Sequence, residues 1–261
     1  MSGIGARGAP AAGGRAAPAW RATLALTAAD LRLALRRGET LVATAVLPIV
    51  VLVFFASVGI LPTTTARPVD FLLPGSIAFA IIATSLVSLG ITTAYDRYYG
   101  VLKRLGGSPL SRAELMFAKM VAVLVVEIVQ VGLLVGVASL VLGWVAPPGA
   151  SVVLFVAAIL LGTLAFAGLG LLLAGTLRAE TMLAVANGLF VASLLLGGIV
   201  LPIDRLPDPV AALAGALPAV ALSEAFRVAL GVGRDATGAL VLLVGWGLGA
   251  TALAALTFRW E

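Results

Sequence analysis

Few side chains in this sequence could carry out chemistry. The chain contains no Cys and no His, which excludes disulfides, thiol nucleophiles, most zinc sites and His-based acid–base catalysis. Metal sites built only from carboxylates stay open, but Asp and Glu together number 12. Neither lysine, Lys103 or Lys119, follows a glycine in a G-x-x-x-x-G-K-[ST] pattern, so we predict no phosphate-binding loop of the Walker A type in this chain.

The remaining polar residues of interest lie inside apolar stretches. Glu127 and Gln130 are one helical turn apart in one stretch, and Asn187 lies in another. An ionised Glu at the centre of a bilayer costs on the order of 3 kcal/mol, so Glu127 could line a substrate path or pair with a charge on a neighbouring helix. The alternative is a hydrogen bond between helices that holds the bundle together. For Asn187 we expect helix packing rather than ligand contact.

The elements that must position these groups are membrane helices. From Ile128 to Leu177 the chain has no charged side chain, and only residues 144–149 (Trp-Val-Ala-Pro-Pro-Gly) interrupt the apolar run. A bilayer crossing needs roughly 20 apolar residues, so this run predicts two crossings joined by a tight turn. Hydrophobic residues make up 61% of the sequence and charged residues 11%, which predicts an all-α membrane protein.

We predict six crossings, over residues 41–61, 71–95, 115–144, 151–177, 181–201 and 236–258. They form a transmembrane domain of residues 39–261, and a Gly/Ala/Pro/Arg tail over residues 1–17 is predicted to be disordered. The first apolar segment starts near Leu41, too deep for a secretory signal peptide.

A shorter apolar patch precedes the last predicted crossing. It covers Val210–Ser223 and is broken by Pro218, so it has too few uninterrupted residues to span a bilayer. Such a patch suits a re-entrant helical hairpin that dips into one leaflet. A seventh crossing is the alternative, and it would move the C-terminus to the opposite side.

An interfacial helix is predicted over residues 18–38. Its apolar stripe consists of Trp20, Leu24, Leu31 and Leu35, and Arg21, Arg32 and Arg36 flank that stripe. Apolar residues facing lipid and arginines facing headgroups are typical of a helix that lies in the membrane interface. A cytosolic helix packed on a partner is the alternative.

The distribution of Lys and Arg predicts the orientation. On one side of a six-crossing chain lie six before residue 38, five from Arg97 to Lys119, and Arg178 and Arg259. The opposite side holds four, namely Arg67, Arg205, Arg227 and Arg234. The positive-inside rule therefore predicts that both termini are cytoplasmic. In a membrane protein this basic excess gives no argument for nucleic-acid binding.

Residues 95–114, which we call the elbow, connect the second and third crossings. Tyr95, Tyr98, Leu102 and Leu105 share one helical stripe. This stripe predicts that the second crossing continues beyond the bilayer as an amphipathic helix. Residues 106–109 (Gly-Gly-Ser-Pro) then end that helix.

A second helix is predicted to begin at Arg112. Ser111 and Glu114 have the spacing of a capping box, and Leu110 and Leu115 have that of a hydrophobic staple. Together these signals predict a rigid, basic elbow that bears aromatic residues and projects into the cytosol. The alternative is a solvated loop that only satisfies the positive-inside rule.

Two motifs resemble the permease subunit of ABC-2 type exporters. The first reads Asp96-Arg97-x-x-Gly100-x-Leu102-Lys103-Arg104-Leu105, then Pro109-Leu110-Ser111-Arg112-x-Glu114, then Ala118-Lys119. The second reads Leu201-Pro202-Ile203-Asp204-Arg205-Leu206-Pro207, followed by Leu217-Pro218 and Glu224-Ala225-Phe226-Arg227. The similarity extends over about residues 20–258 and preserves the order and spacing of both motifs.

The resemblance implies roles for both motifs. The elbow would dock in a groove of a separate ATPase subunit through Arg97, Tyr98, Gly100, Leu102, Lys103, Arg104, Pro109, Leu110, Ser111, Arg112 and Glu114. Short re-entrant helices before the last span would form an extracytoplasmic gate containing Pro202, Asp204, Pro207, Pro218, Glu224 and Arg227. Tyr98-Tyr99 replaces a stretch that contains Glu in many relatives, so the resemblance does not fix which polar ATPase contact is kept.

The resemblance also implies the function. The chain would be the permease of an ATP-driven exporter of a drug, antibiotic or other amphipathic or lipid-like molecule, without an ATPase site of its own. It would hold no cofactor, since ATP and Mg would bind the partner. Two ATPases would join two permeases, as a homodimer or with a related permease, among the lipids of a bacterial cell membrane.

Two other functions stay open on the residues alone. An ion-coupled secondary transporter would need intramembrane carboxylates or inverted repeats, and Glu127 is one such carboxylate. A membrane-embedded enzyme that modifies lipids would have Asp204 and Asp208 as its nearest acidic cluster, with few other candidate catalysts.

Overall fold

The computed structural model describes residues 19–36, 38–58, 65, 67–106 and 111–257, and the predicted tail 1–17 lies outside them. The helices are α1 (Ala19–Arg36), α2 (Gly38–Val58), α3 (Pro68–Ile81), a π-helix (Ile82–Ser88), α4 (Leu89–Tyr98), α5 (Val101–Gly106), α6 (Arg112–Val141), α7 (Val152–Thr176), α8 (Ala179–Leu196), a 3₁₀ turn (Ile203–Arg205), α9 (Asp208–Gly215), α10 (Pro218–Ala229) and α11 (Thr237–Thr257). The described residues contain no β-strand, so the predicted all-α membrane class is confirmed.

Five of the described helical stretches are long and apolar enough to cross a membrane, namely Pro68–Tyr98, α6, α7, α8 and α11. The pair α9 and α10 is bent by 79° and would bring the number to six if it counted as one span. Helix α2 lies where the first crossing is predicted and has 21 residues. At the usual helical rise this length corresponds to about 30 Å, the thickness of a bilayer core. Its apolar described part is Thr44–Val58.

The predicted fifth crossing is too long at its C-terminal end. Helix α8 ends at Leu196, whereas the sequence predicts helix as far as Leu201. Gly198 adopts a φ of 66°, a left-handed conformation that favours glycine and ends a helix. The chain therefore turns at residues 197–198, before the apolar pattern ends.

The centre of the bundle is the continuous helical stretch Pro68–Tyr98, which we call the central rod. In its most apolar window 89% of the residues are buried, because α2, α6, α7, α8 and α10 all pack against it. Its apolar residues follow one another almost without alternation, as expected of a helix buried on every face. Phe79 of the rod stacks on Phe190 of α8 at 4.3 Å between ring centroids.

Helix α1 packs along the first half of α6. Thr27 is buried and donates a hydrogen bond to the carbonyl oxygen of Ala118 at 3.3 Å. On the predicted apolar stripe, Leu24 is 58% exposed and Leu31 is half-buried, whereas the side chains of Trp20 and Leu35 lie outside the description. The helix is confirmed, and its position in a membrane interface stays a prediction.

Candidate functional site

The first half of the elbow contains a break that the sequence pattern did not predict. Helix α4 ends at Tyr98, and α5 begins at Val101, so the predicted continuous amphipathic helix is wrong. The Gly100 N–H donates to the carbonyl oxygen of Arg97 at 3.0 Å, and Gly100 has a φ of 71°. Since only glycine adopts this conformation readily, the glycine after Tyr98-Tyr99 was the signal for the break.

This break separates the residues of the predicted stripe. Leu102 is fully buried, whereas Tyr98 is 64% exposed, so the two side chains do not share one face. The side chain of Leu105 lies outside the description. Tyr98 and Leu102 face different ways because the chain changes direction at Gly100, between α4 and α5. The predicted stripe required one uninterrupted helix.

An aromatic surface results at the end of the central rod. Tyr99 is 70% exposed, and its ring lies 5.1 Å from the ring of Tyr98 and 6.1 Å from that of Tyr95. Val101, Lys103 and Arg104 are exposed beside it. Exposed aromatic groups with basic neighbours are typical of a protein–protein interface.

The second half of the elbow starts with the predicted capping box. The Glu114 N–H donates to Ser111 Oγ at 3.2 Å, and the Ser111 N–H donates to Glu114 Oε2 at 2.7 Å. Helix α6 begins at Arg112, as predicted, and the Arg112 side chain is exposed. Pro109 and Leu110 lie outside the described residues, so the hydrophobic staple remains a prediction.

Arg97 connects the elbow to another part of the chain. Its guanidinium donates a hydrogen bond to the carbonyl oxygen of Leu177, the C-cap residue of α7. Arg97 also lines a cavity with Tyr98, Arg178 and Glu180. The geometry therefore places Arg97 between α4 and the connection from α7 to α8, while Lys103 and Arg104 lie on the exposed part of the elbow.

Asp96 of the elbow forms a charge cluster with Asp30 and Lys119, which the sequence pattern did not predict. Lys119 Nζ donates to Asp96 Oδ2 at 3.1 Å and is 3.8 Å from Asp30 Oδ2. The Lys119 side chain is only 6% exposed. Leu115, Ala122 and Val123 lie one helical turn from Lys119 on the same face of α6, and all three are buried. A lysine on this otherwise apolar face of α6 was the sequence signal for a buried charge pair.

Glu127 and Gln130 are the centres of two neighbouring hydrogen-bonded groups, Glu127 with Ser85 and Thr163, and Gln130 with Thr84 and Thr44. Together we call these groups the polar network. Glu127 is fully buried. It accepts hydrogen bonds of 2.5 Å from Ser85 Oγ of the π-helix and from Thr163 Oγ1 of α7. Gln130 accepts one from Thr84 Oγ1 at 2.7 Å and donates one to Thr44 Oγ1 at 2.9 Å. These bonds connect α6 with α2, the π-helix and α7.

Glu127 and Asn187, both predicted to lie inside the membrane, thus differ in their surroundings. Glu127 lies inside the bundle, where its bonds are those expected of a contact that holds helices together. Asn187 lies on the exposed face of α8 and donates to the carbonyl oxygen of Leu183 in its own helix. Asn187 therefore makes no hydrogen bond to another described helix, and the helix packing expected of it stays a prediction.

The gate segment, residues 202–227, is built around Arg227. This residue is 8% exposed, and its guanidinium donates to the carbonyl oxygen of Gly198. It also lies 3.4 Å from Glu224 Oε2 and 4.4 Å from the centre of the Phe71 ring. Glu224 and Arg227, three residues apart on α10, therefore form an ion pair across one helical turn.

Two prolines of the gate segment mark the starts of its helices. Pro207 precedes α9, and Pro218 is the first residue of α10, where the missing N–H of proline costs no helical hydrogen bond. Pro202 and Pro218 are buried, whereas Asp204 and Pro207 are exposed. Asp204 therefore lies at the exposed edge of the group around Arg227, with which its carboxylate interacts electrostatically.

Comparison with known proteins gives the family. The ABC-2 type transporter family model matches residues 21–230, a range that contains both the elbow and the gate segment. No curated protein matches the chain significantly. The family match covers most of the sequence, and it agrees with an all-α multi-pass membrane fold. The chain therefore belongs to the ABC-2 type transporter family and is a transmembrane permease of an ABC-type transporter.

Proposed function

We propose that this permease exports an amphipathic or lipid-like molecule, such as a drug or antibiotic, with energy from ATP. Membership of the family implies association with an ABC ATPase subunit. The two lysines of the chain lie outside any Walker A pattern, which supports the placement of ATP and Mg on that partner. Two ATPases and two permeases would form the transporter in a bacterial cell membrane, with both permease termini in the cytoplasm.

The observation that carries this proposal is the exposed aromatic and basic surface of the elbow. Tyr98 and Tyr99 are 64% and 70% exposed, although they lie at the end of a rod that is otherwise buried. Aromatic residues dominate the binding energy of many interfaces, and Lys103 and Arg104 supply charge beside them. The ATPase would cover this surface.

The central rod supplies a mechanical connection from the elbow to the rest of the bundle. Its residues Pro68–Tyr98 are continuously helical, and the rod touches both the polar network and α10. Arg97 joins its elbow end to the connection between α7 and α8. Nucleotide states that contact the elbow differently would therefore bias the arrangement of these helices.

We place the extracytoplasmic gate at residues 202–227. Two short helices bent by 79° and bounded by prolines can close an exit without crossing the bilayer. Arg227 holds α10 against Gly198 and Phe71. Opening would require these contacts to change.

Charge reversal tests the docking of the ATPase. The double variant Lys103→Glu/Arg104→Glu should lose complex formation with the cognate ATPase and the stimulation of its ATP turnover, because it replaces two cations at the proposed interface. The matched control is Arg205→Glu/Arg234→Glu, which makes the same charge change at two exposed residues outside the elbow. Equal complex formation and equal turnover in both variants would contradict the docking proposal.

A transport assay tests the energy source. Export of substrate from cells should stop on ATP depletion and should survive collapse of the proton gradient at constant ATP. The opposite result would favour an ion-coupled secondary transporter.

A further inference from the structure

A cavity of about 110 Å³, partly open to the outside, is lined by the charge cluster. Its walls come from α1, α2, the central rod and α6. It extends from Asp96 and Lys119 near the elbow to Thr84, about three helical turns farther along the rod. A cavity of this size accommodates a small polar head with a few carbon atoms, since engineered cavities of about 150 Å³ bind benzene.

The charged lining of the cavity carries an excess of negative charge. Two carboxylates, Asp30 and Asp96, face the single ammonium of Lys119, and no other charged described residue lines the cavity. Lys119 makes its hydrogen bond to Asp96. Asp30 Oδ2 is buried and accepts no hydrogen bond, because the Lys119 ammonium with which it forms an ion pair stays 3.8 Å away. A buried acceptor of this kind is costly unless a donor reaches it.

Two hydroxyl groups in the cavity add acceptors. Thr84 Oγ1 donates its hydrogen to Gln130 Oε1 at 2.7 Å, and Thr92 Oγ1 donates to the carbonyl oxygen of Ser88 at 2.7 Å. A hydroxyl has one hydrogen to donate, so both oxygens offer only lone pairs to the cavity. A guest with N–H donors matches this lining better than a guest with acceptors.

The rest of the wall is apolar. Leu31, Leu89, Val123 and Val126 line the cavity together with Leu33. Leu33 is 50% exposed, so the wall continues to the outer surface of the bundle. An apolar body attached to the polar head would therefore find hydrophobic contacts both inside the cavity and towards lipid.

We propose that this cavity binds the protonated primary amine of an amphipathic molecule, with the ammonium between Asp30 and the hydroxyl oxygen of Thr92. The site adjoins the elbow through Asp96 and is separate from the gate segment, and its occupation requires neither ATP nor the ATPase. The proposal therefore stands or falls independently of the transport proposal. Both a free amphipathic amine and the ethanolamine headgroup of a phospholipid carry this chemistry.

The probe is dansylcadaverine, a fluorescent amphipathic primary amine. It should bind the full-length chain in phosphatidylcholine nanodiscs, and the analogue with a trimethylated amine should bind about tenfold more weakly because it has no N–H to donate. Equal affinities for the two compounds would overturn the proposal. If phosphatidylethanolamine in the nanodisc competes with dansylcadaverine, the lipid headgroup is the natural source of the amine. If it does not compete, the source is a free amphiphile.

Two variants should change the affinity in opposite directions. Asp30→Asn should weaken dansylcadaverine binding about tenfold, because the site loses its excess negative charge. Lys119→Met should strengthen it, because the competing cation is removed. Misfolding could explain a loss but not a gain. Asp208→Asn, an exposed residue at the start of α9, is the control. Unchanged affinity in both cavity variants would overturn the proposal.

The pH dependence gives an independent readout. Burial raises the pKa of the Asp30 carboxyl above its usual value of 3.8, and the nearby Lys119 ammonium opposes this shift. Asp30 therefore takes up a proton at a higher pH than an ordinary Asp, and binding of the cation should weaken as the pH falls through that range. Asp30→Asn should remove this part of the pH dependence. An identical pH profile in the variant would contradict the role of Asp30.

Discussion

The elbow and the gate segment contain similar side chains, but the chain uses them differently. At the elbow, Tyr98 and Tyr99 are mostly exposed, and so are Lys103 and Arg104. In the gate segment, Arg227 is 8% exposed and lies against Gly198, Glu224 and Phe71. Substitutions around the gate segment should therefore reduce the stability of the chain, whereas substitutions at the elbow should reduce its association with a partner.

The largest stability loss is expected at the close contact between the central rod and the chain just before the gate segment. A Cβ atom on Gly75 would lie 2.5 Å from the carbonyl oxygen of Ile199, and backbone cannot move aside as a flexible side chain can. Gly75→Ala should therefore lower the free energy of unfolding by about 3 kcal/mol. Thermal unfolding of the purified chain in detergent measures this change.

Gly132→Ala is the matched control for that variant. Gly132 also lies within a helix, but a Cβ atom there would meet nothing within 4 Å. Alanine should leave the free energy of unfolding unchanged or raise it by about 0.5 kcal/mol through helix propensity. Equal losses in the two variants would show that the contact between Gly75 and Ile199 is not a tight one.

A somewhat smaller loss is expected from Arg227→Leu. The variant removes a charge-assisted hydrogen bond to the Gly198 carbonyl and the contact with the Phe71 ring, which should cost about 2 kcal/mol. Arg234→Leu is the control, since Arg234 is exposed and should change stability by less than about 0.5 kcal/mol. If thermal unfolding gives the same midpoint for both variants, Arg227 does not hold α10 in place.

At the elbow, the expected loss is in binding. Tyr99→Ser removes a ring that is 70% exposed, so it should leave the free energy of unfolding within about 0.5 kcal/mol of the original. The affinity for the cognate ATPase should fall about tenfold, the effect of losing a moderate interface contact. Val145→Ser, which alters an equally exposed residue outside the elbow, should leave the affinity unchanged. If Tyr99→Ser lowered the free energy of unfolding but left the affinity for the ATPase unchanged, Tyr99 would stabilise the chain and would not bind the partner.

Local signals explain what the sequence could predict about these two regions. The spacing of Ser111 and Glu114 specifies a capping box within one helical turn, and the structure has both hydrogen bonds. Glu224 and Arg227 are likewise three residues apart on one helix, and they form an ion pair. Such predictions succeed because both partners belong to the same turn of chain.

Features that depend on distant residues could not be predicted in the same way. Asp30, Asp96 and Lys119 come from three helices, and no spacing in the sequence shows that their side chains meet. Ser85 reaches Glu127 from a π-helix, whose extra residue per turn changes which side chains face α6. The break at Gly100 was a local signal, but the apolar stripe across it pointed to a continuous helix.

The smallest expected effect compares the starts of α6 and α7, one at the elbow and one beside the gate segment. Ser111 caps α6 with a reciprocal bond from Glu114, whereas Ser151 accepts one longer bond, 3.4 Å, from the Leu154 N–H. The Ser151 N–H donates to the carbonyl oxygen of Ala229 in α10, and an alanine would keep that backbone bond. Ser111→Ala should therefore cost about 1 kcal/mol, and Ser151→Ala less than about 0.5 kcal/mol.

The consequence of these two caps for function should also differ. Loss of the Ser111 cap loosens the first turn of α6 next to the exposed elbow surface, so Ser111→Ala should weaken ATPase binding two- to threefold, by roughly 0.5 kcal/mol. Ser151→Ala should leave that affinity unchanged, because α7 begins at the gate segment. Thermal unfolding and ATPase binding measured on the same two variants would test this. If Ser151→Ala lowered the free energy of unfolding more than Ser111→Ala, the backbone bond to α10 would not secure the start of α7. If Ser151→Ala weakened ATPase binding more, the start of α6 at the elbow would not be the helix start on which that binding depends.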